Sequence, residues 1–269
     1  MTYFSIGIVG SVSVGKSTIL NSLLSEYKSK TAIKRCTKQP LVFIENGDHH
    51  ENQALNDNKL RREREGEFKE EYIDAINLIP APGLLKIYDF PGTDDCENKE
   101  KNLNYFTSVF EELDAIILVL QLDRGFKSKD DIELLRTIIK QMKAKQHLQQ
   151  FLWVMVNKCD NELARIRADG SCEFLESEYD EMYTEIENTV SDEFKIENVH
   201  QTKFSCLIPI CAKDWFIFSQ FKRNKNCTLT NFEKDRLGMD LFGLEWREFS
   251  KSMKQQALHA FVSSAFING

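Results

Sequence analysis

A doubly wound α/β fold, with a mostly parallel sheet and helices on both faces, is predicted by three observations in this 269-residue sequence. Residues 6–9, 115–120 and 151–156 are nearly continuous apolar runs, as expected of strands covered on both sides. Strand-like and helix-like stretches alternate, the order in which helical crossovers build a parallel sheet. The first strand also passes through a glycine-rich turn directly into a helical stretch.

In chain order, the apolar and β-branched runs predict strands at 3–9, 41–45, 84–90, 115–120, 151–157 and 207–211. Helix-like spacing falls between them at 18–27, 102–113, 129–145 and 174–194. One domain over 1–269 is expected, with two segments longer than such a core needs. The first, 46–79, is read as an insertion between the second and third strands. It contains a charged run at 59–72, including Arg61, Arg62, Arg64, Glu65, Glu67, Lys69 and Glu70. The plainer reading of that run is a solvated helix laced with ion pairs, and the sharper one is a partner-binding insertion. The second, 214–269, is read as a C-terminal helical extension. There Trp246, Phe249, Met253, Leu258, Phe261, Val262 and Phe266 recur at roughly helical spacing, for a closing helix on the sheet or a helix offered to a partner.

Apolar residues make up 42% of the chain and charged ones 29%, the balance of a globular protein with a full core. A net charge of −7 argues against bulk attraction to nucleic acid or anionic lipid, so no nucleic-acid partner is expected. The seven cysteines are odd in number, scattered and without C-x-x-C spacing, which reads as reduced thiols in a cytoplasmic protein. No apolar run approaches the roughly 18 residues that span a bilayer, and the chain opens on a strand-like segment instead of a signal peptide. Peripheral membrane association stays open.

The chemistry concentrates in three motifs. Gly10-Ser11-Val12-Ser13-Val14-Gly15-Lys16-Ser17-Thr18 is a complete G-x-x-x-x-G-K-[ST] phosphate loop between a strand and a helix. Its glycines let backbone N–H groups wrap a diphosphate, the helix N-terminus adds its positive end, Lys16 reaches the β/γ-phosphates and the Ser17 hydroxyl suits Mg²⁺. Phosphate contacts are assigned to Gly10, Ser13, Val14, Gly15, Lys16, Ser17 and Thr18. Asp89-Phe90-Pro91-Gly92 ends a strand, where a carboxylate can hold Mg²⁺ through water and the Gly92 N–H can meet a γ-phosphate.

Asn157-Lys158-Cys159-Asp160 ends another strand in the form N-K-x-D. The Asp160 carboxylate can accept from both N1–H and N2–H₂ of guanine, a donor pair adenine lacks, so GTP or GDP is expected, with an ATP-using enzyme as the lesser alternative. Asn157 would tie this loop to the phosphate loop and the Lys158 stem would lie over the base. Cys211-Ala212-Lys213 follows the last strand, where the Ala212 N–H could meet the guanine O6 and Lys213 could cover the ring.

This order of motifs resembles the translation-factor-related class of P-loop GTPases, and the P-loop NTPase G-domain fold follows from the resemblance. Within that class, Cys36-Thr37-Lys38-Gln39-Pro40-Leu41 resembles the T-[RK]-x-P-[LT] switch segment of the dynamin superfamily. Dynamins share the D-x-P-G form, and the long segment before it supports the same relation. The resemblance implies that Thr37 closes on Mg²⁺ and the γ-phosphate, with Thr31 as the fallback. It implies a role for Ser13 near the β–γ bridge, and a homodimer across the nucleotide face or an effector or activating protein.

Two positions depart from the pattern. Dynamins usually carry a water-ordering glutamine where this chain has Val12, and Ras-like proteins carry theirs where it has Thr93. Charge stabilisation by Lys16, Mg²⁺ and the loop N–H groups remains, but nucleophile alignment falls to a carbonyl near Thr37, to the Thr93 hydroxyl or to a second molecule. The expectation is therefore a slow GTPase acting as a dynamin-like or switch-type protein, catalytic groups being Lys16, Thr37, Ser13 and Thr93. The alternative is a nearly inactive GTP-binding scaffold. Only a short segment follows Lys213, so the chain reads as a GTPase domain alone or as part of something larger.

Overall fold

The computed structural model describes residues 3–25, 28, 40–45, 69–73, 84–93, 99–144, 151–159, 164–166, 172–174, 176–199, 205–223, 228–235 and 247. Its main sheet has seven strands: β1 Tyr3–Val9, β2 Leu41–Glu45, β3 Lys69–Ile73, β4 Leu84–Asp89, β5 Ala115–Gln121, β6 Phe151–Asn157 and β9 Ser205–Pro209. Their spatial order is β3-β2-β4-β1-β5-β6-β9. β4, β1, β5, β6 and β9 are mutually parallel, while β2 lies antiparallel to β4 and β3 runs parallel to β2. The predicted α/β class and largely parallel sheet are thus present, with two reversed strands at one edge. A separate pair, β7 Ala164–Ile166 and β8 Cys172–Phe174, is antiparallel.

Helices α1 Lys16–Leu24 and α5 Ala212–Arg223 cover one face; α2 Lys99–Val109, α3 Lys129–Ala144 and α4 Ser177–Ile196 cover the other. Strand alternation sends Ile116, Leu118 and Leu120 of β5 to the α3 side and Ala115, Ile117 and Val119 to the α1 side. All six are buried, which is why the run carries no polar residue. On the α1 side, Trp215 and Phe218 of α5 pack with Ile19, Leu20 and Leu23 of α1, and the Ser22 hydroxyl donates to the Ala212 carbonyl at 2.9 Å. Trp215 is 2% exposed. A Trp215→Ala variant is expected to lose about 3–5 kcal/mol in urea unfolding, because a cavity that size cannot collapse fully.

The far side combines packing with ion pairs. Arg136 of α3 donates from Nε and an Nη to both oxygens of Glu193 on α4 at 2.8 and 2.7 Å, which raises the guanidinium's affinity for its proton. Phe90, Phe106 and Phe110 stack edge to face, at 5.5 and 5.4 Å between centroids, carrying α2 onto the end of β4.

Several expected boundaries change. The charged run at 59–72 was expected to be helical, but its end, from Lys69, lies in β3; the rest is outside the described residues. Helix-favouring glutamates yield here because the edge of β2 offers a full ladder, and an edge strand tolerates charge. Phe174, expected to open a helix, ends β8, and α4 begins at Ser177. The first helix starts earlier than expected, directly after Gly15. It stops at Leu24 because Ser25 turns left-handed and its N–H caps the Asn21 and Ser22 carbonyls. Residues 110–112 form a 3₁₀ turn after α2. Of the C-terminal extension, the first residues continue α5, and α6 Asn231–Asp235 follows; Trp246 to Phe266 lie outside the described residues apart from Arg247.

Candidate nucleotide site

Parallel strands place their carboxyl ends on one rim, where α/β sheets build ligand sites. Here that rim gathers Gly10 after β1, Asp89 to Thr93 after β4, Gln121 at the end of β5, Asn157 and Lys158 at the end of β6, and Ala212 after β9. Asp89 pairs with Ile8 across the β1–β4 ladder and with Leu41 across β4–β2.

The phosphate loop needs three left-handed residues: Gly10 at φ 145°, Ser13 at φ 65° and Gly15 at φ 103°. Two of these are glycines for a second reason. A Cβ on Gly10 would lie 2.5 Å from the Val119 carbonyl oxygen, and one on Gly15 would lie 2.1 Å from Asn157 Nδ2. Ser13 is exposed, Val14 is buried, and Ser17 and Thr18 are half-buried in the first turn of α1. Lys16 folds back over the loop, its Nζ donating to the Gly10 and Ser11 carbonyls at 2.8 and 2.6 Å.

The D-F-P-G turn lies against the same loop. The Thr93 N–H donates to the Gly10 carbonyl at 3.4 Å, and the Phe90 N–H donates to Ile8 at 3.2 Å. Gly92 is pressed so closely onto Val12 that a Cβ there would meet Val12 Cγ2 at 2.3 Å and its backbone nitrogen at 2.9 Å. Asn102 of α2 donates to the Gly92 carbonyl at 3.0 Å. Asp89 is fully buried at the end of β4, and the Thr93 hydroxyl is buried without a hydrogen-bond partner. At the start of α2, Lys99 reaches Asp130 and Glu133 of α3 at 2.6 and 2.8 Å, and those hydrogen bonds, Asp130 first, hold its ammonium above the usual lysine range.

Asn157 is the joint of the site. Its Nδ2 donates to the Val14 carbonyl at 2.7 Å, and its Oδ1 accepts from the Ala212 N–H at 3.0 Å. The expected tie between the N-K-x-D loop and the phosphate loop is therefore present. The Ala212 N–H was expected to meet a guanine O6; in this structure that donor is engaged by Asn157, because α5 starts at Ala212 and its first N–H needs an acceptor. Lys158 has φ 63° and donates to Gln121 Oε1 at 2.5 Å, while Lys213 is exposed at the start of α5. Asp160, Thr37 and Thr31 lie outside the described residues.

A family model described as the 50S ribosome-binding GTPase matches residues 5–158, more than half the chain and all of the rim from β1 to Lys158. The chain belongs to this GTPase family. Among curated proteins, the chain is 24% identical over 248 residues to uncharacterized protein R618 of Acanthamoeba polyphaga mimivirus, covering 83% of this chain and 40% of R618. It therefore spans well under half the length of that relative. Among solved structures, Toc33 from Arabidopsis thaliana in complex with GDP and Mg²⁺ matches with a TM-score of 0.51 at 11% identity, covering 99% of this chain and 85% of that one. A bacterial dynamin pair matches with a TM-score of 0.50 at 15% identity, covering 97% of this chain and 40% of that one. At these identities the likeness is one of fold. No helix among the described residues is long and apolar enough to cross a membrane.

Three polar residues at the rim carry no motif and escape sequence reasoning: Asp131, whose carboxylate accepts from the Ser11 hydroxyl, Gln121 on Lys158, and Asn102 on Gly92. Asp130 and Asp131 read in sequence as ordinary acids of a helix's first turn. Only the spatial approach of α3 to the loop sets one of them apart.

Proposed function

We propose that the chain binds GTP and GDP with Mg²⁺ at this rim and hydrolyses GTP slowly to GDP and phosphate, as a switch-type or dynamin-like GTPase. The observation that carries the reading is Asn157, whose two buried hydrogen bonds make one rigid unit of the phosphate loop, the N-K-x-D strand end and the loop before α5. The donor set fits the ligands: a cradle that only glycine permits at Gly10 and Gly15, the Lys16 ammonium, the Ser17 hydroxyl and the buried Asp89 carboxylate. Lys16 and the loop N–H groups would balance phosphate charge, and Ser17 and Asp89 would hold Mg²⁺, which neutralises charge on the β- and γ-phosphates. Asp160 would select guanine, with Lys158 and Lys213 beside the base.

Thr37 would complete the metal site. The chain leaving its segment starts β2 at Leu41, directly beside Asp89, and that supports the assignment. In the reaction a water oxygen forms the new bond to the γ-phosphorus as the bridging P–O bond breaks and GDP leaves, the water's protons passing to the phosphate released and to solvent. Slow turnover is supported by the apolar Val12 packed on Gly92 where a water-ordering side chain would stand. The Thr93 hydroxyl, buried and unengaged, is the described group best suited to orient that water. The same Val12 contact supports the second reading, a nucleotide-stabilised scaffold with negligible turnover. Seven scattered cysteines without C-x-x-C spacing support a reducing, cytoplasmic setting.

GTP turnover measured at several protein concentrations, beside Lys16→Ala and Asp160→Asn, tests these readings. A rate per molecule that climbs with concentration supports dimerisation across the nucleotide face, and a flat, slow rate supports a monomeric switch. Tight GTP binding without turnover leaves the scaffold. Equal binding of ATP sinks the guanine assignment.

A further inference from the structure

The phosphate loop is fastened to α3 by a contact that the nucleotide motifs do not include. Ser11, wholly buried, donates its hydroxyl hydrogen to Asp131 Oδ1 across 120 residues of sequence. Asp131 is 1% exposed, in the first turn of α3, and its other oxygen faces Arg124 Nε at 3.8 Å. A carboxylate buried this deeply is expensive unless hydrogen-bonded and charge-balanced. Leu134, Leu135, Ile138 and Ile139 already seat the helix on the sheet, and Arg136 ties it to α4.

What the carboxylate does hold is the Ser11 hydroxyl. The Ser11 carbonyl accepts from Lys16 Nζ at 2.6 Å, and the next residue, Val12, is the one pressed onto Gly92. Fixing Ser11 thus fixes, from behind, both the carbonyl that steers Lys16 and the wall on which the D-F-P-G turn rests.

We propose that Asp131 is a positioning residue of the nucleotide site: by gripping Ser11 it holds the phosphate loop in the shape that retains a guanine diphosphate or triphosphate. This rests on the guanine-nucleotide reading and adds to it a residue from outside every motif. Asp131 touches no phosphate; it acts through Ser11.

The test uses the full chain and a fluorescent GDP derivative with Mg²⁺, reading its dissociation rate and, separately, the ligand-free unfolding midpoint. Ser11→Ala and Asp131→Ala are each expected to release the nucleotide about tenfold faster, and the double variant no faster than the faster single, because both remove one interaction. Asp131→Asn keeps an acceptor for the Ser11 hydroxyl and is expected to restore most of the retention. A purely structural role would lower the unfolding midpoint while leaving the release rate of folded protein unchanged and the two singles additive; that result overturns the proposal. If Asp131→Ala does not fold, Ser11→Ala against Asp131→Asn decides it: release at the parent rate from Ser11→Ala overturns it. A parent that binds no GDP overturns the guanine reading itself, and is told apart because it fails before any variant is compared.

Discussion

An Asn157→Ala protein is expected to lose about 2–5 kcal/mol of stability, because it strands two buried backbone groups at once. The Val14 carbonyl loses its donor and the Ala212 N–H its acceptor, and both residues are buried. Urea unfolding reads the stability, and GDP affinity, expected to fall by well over tenfold, reads the site. Asn157→Asp separates the two bonds. It keeps an acceptor for Ala212 but sets a carboxylate against the Val14 carbonyl, so it is expected to be no better than alanine. A variant that unfolds at the parent midpoint, or binds GDP with parent affinity, would remove Asn157 from the centre of the site.

Gly10→Ala is the second large effect. The position needs φ 145°, which a side chain adopts only under strain, and the new methyl would sit 2.5 Å from the Val119 carbonyl oxygen. That oxygen belongs to the central strand β5 and cannot move aside, so strain and overpacking together are expected to cost about 2–5 kcal/mol. The loop would be pushed off β5, and GDP binding lost with it. Gly7→Ala is the control: its methyl meets the tip of the Leu113 side chain at 2.8 Å, which can rotate away, for a cost of about 1 kcal/mol. Equal midpoints for the two variants would contradict this account of the loop.

Much of this architecture was legible in the sequence because two-sided burial leaves a direct trace. Strands β1, β5 and β6 had to be apolar on both faces, and they read so. The phosphate loop was legible for a related reason: at Gly10 and Gly15 no other residue fits the space. Strand β3 was not legible, since its charged residues favour a helix in isolation; only the neighbouring β2 makes it a strand. The hairpin β7–β8 likewise draws its order from pairing and not from composition. In the candidate site, residues proposed to meet the nucleotide sit in motifs, whereas those that brace the loops carrying them do not. Asp131, Gln121 and Asn102 are ordinary helix or strand-end residues until the chain folds them against Ser11, Lys158 and Gly92. Ala212 shows the converse, a residue in the right place whose N–H, left without a partner by the helix start, is taken by Asn157 Oδ1.

Gly92 lies flat on Val12 on one side and is gripped through its carbonyl by Asn102 on the other. One peptide thus serves two neighbours: a side chain at position 92 would press on the phosphate loop, while the carbonyl at the same position ties the turn to α2.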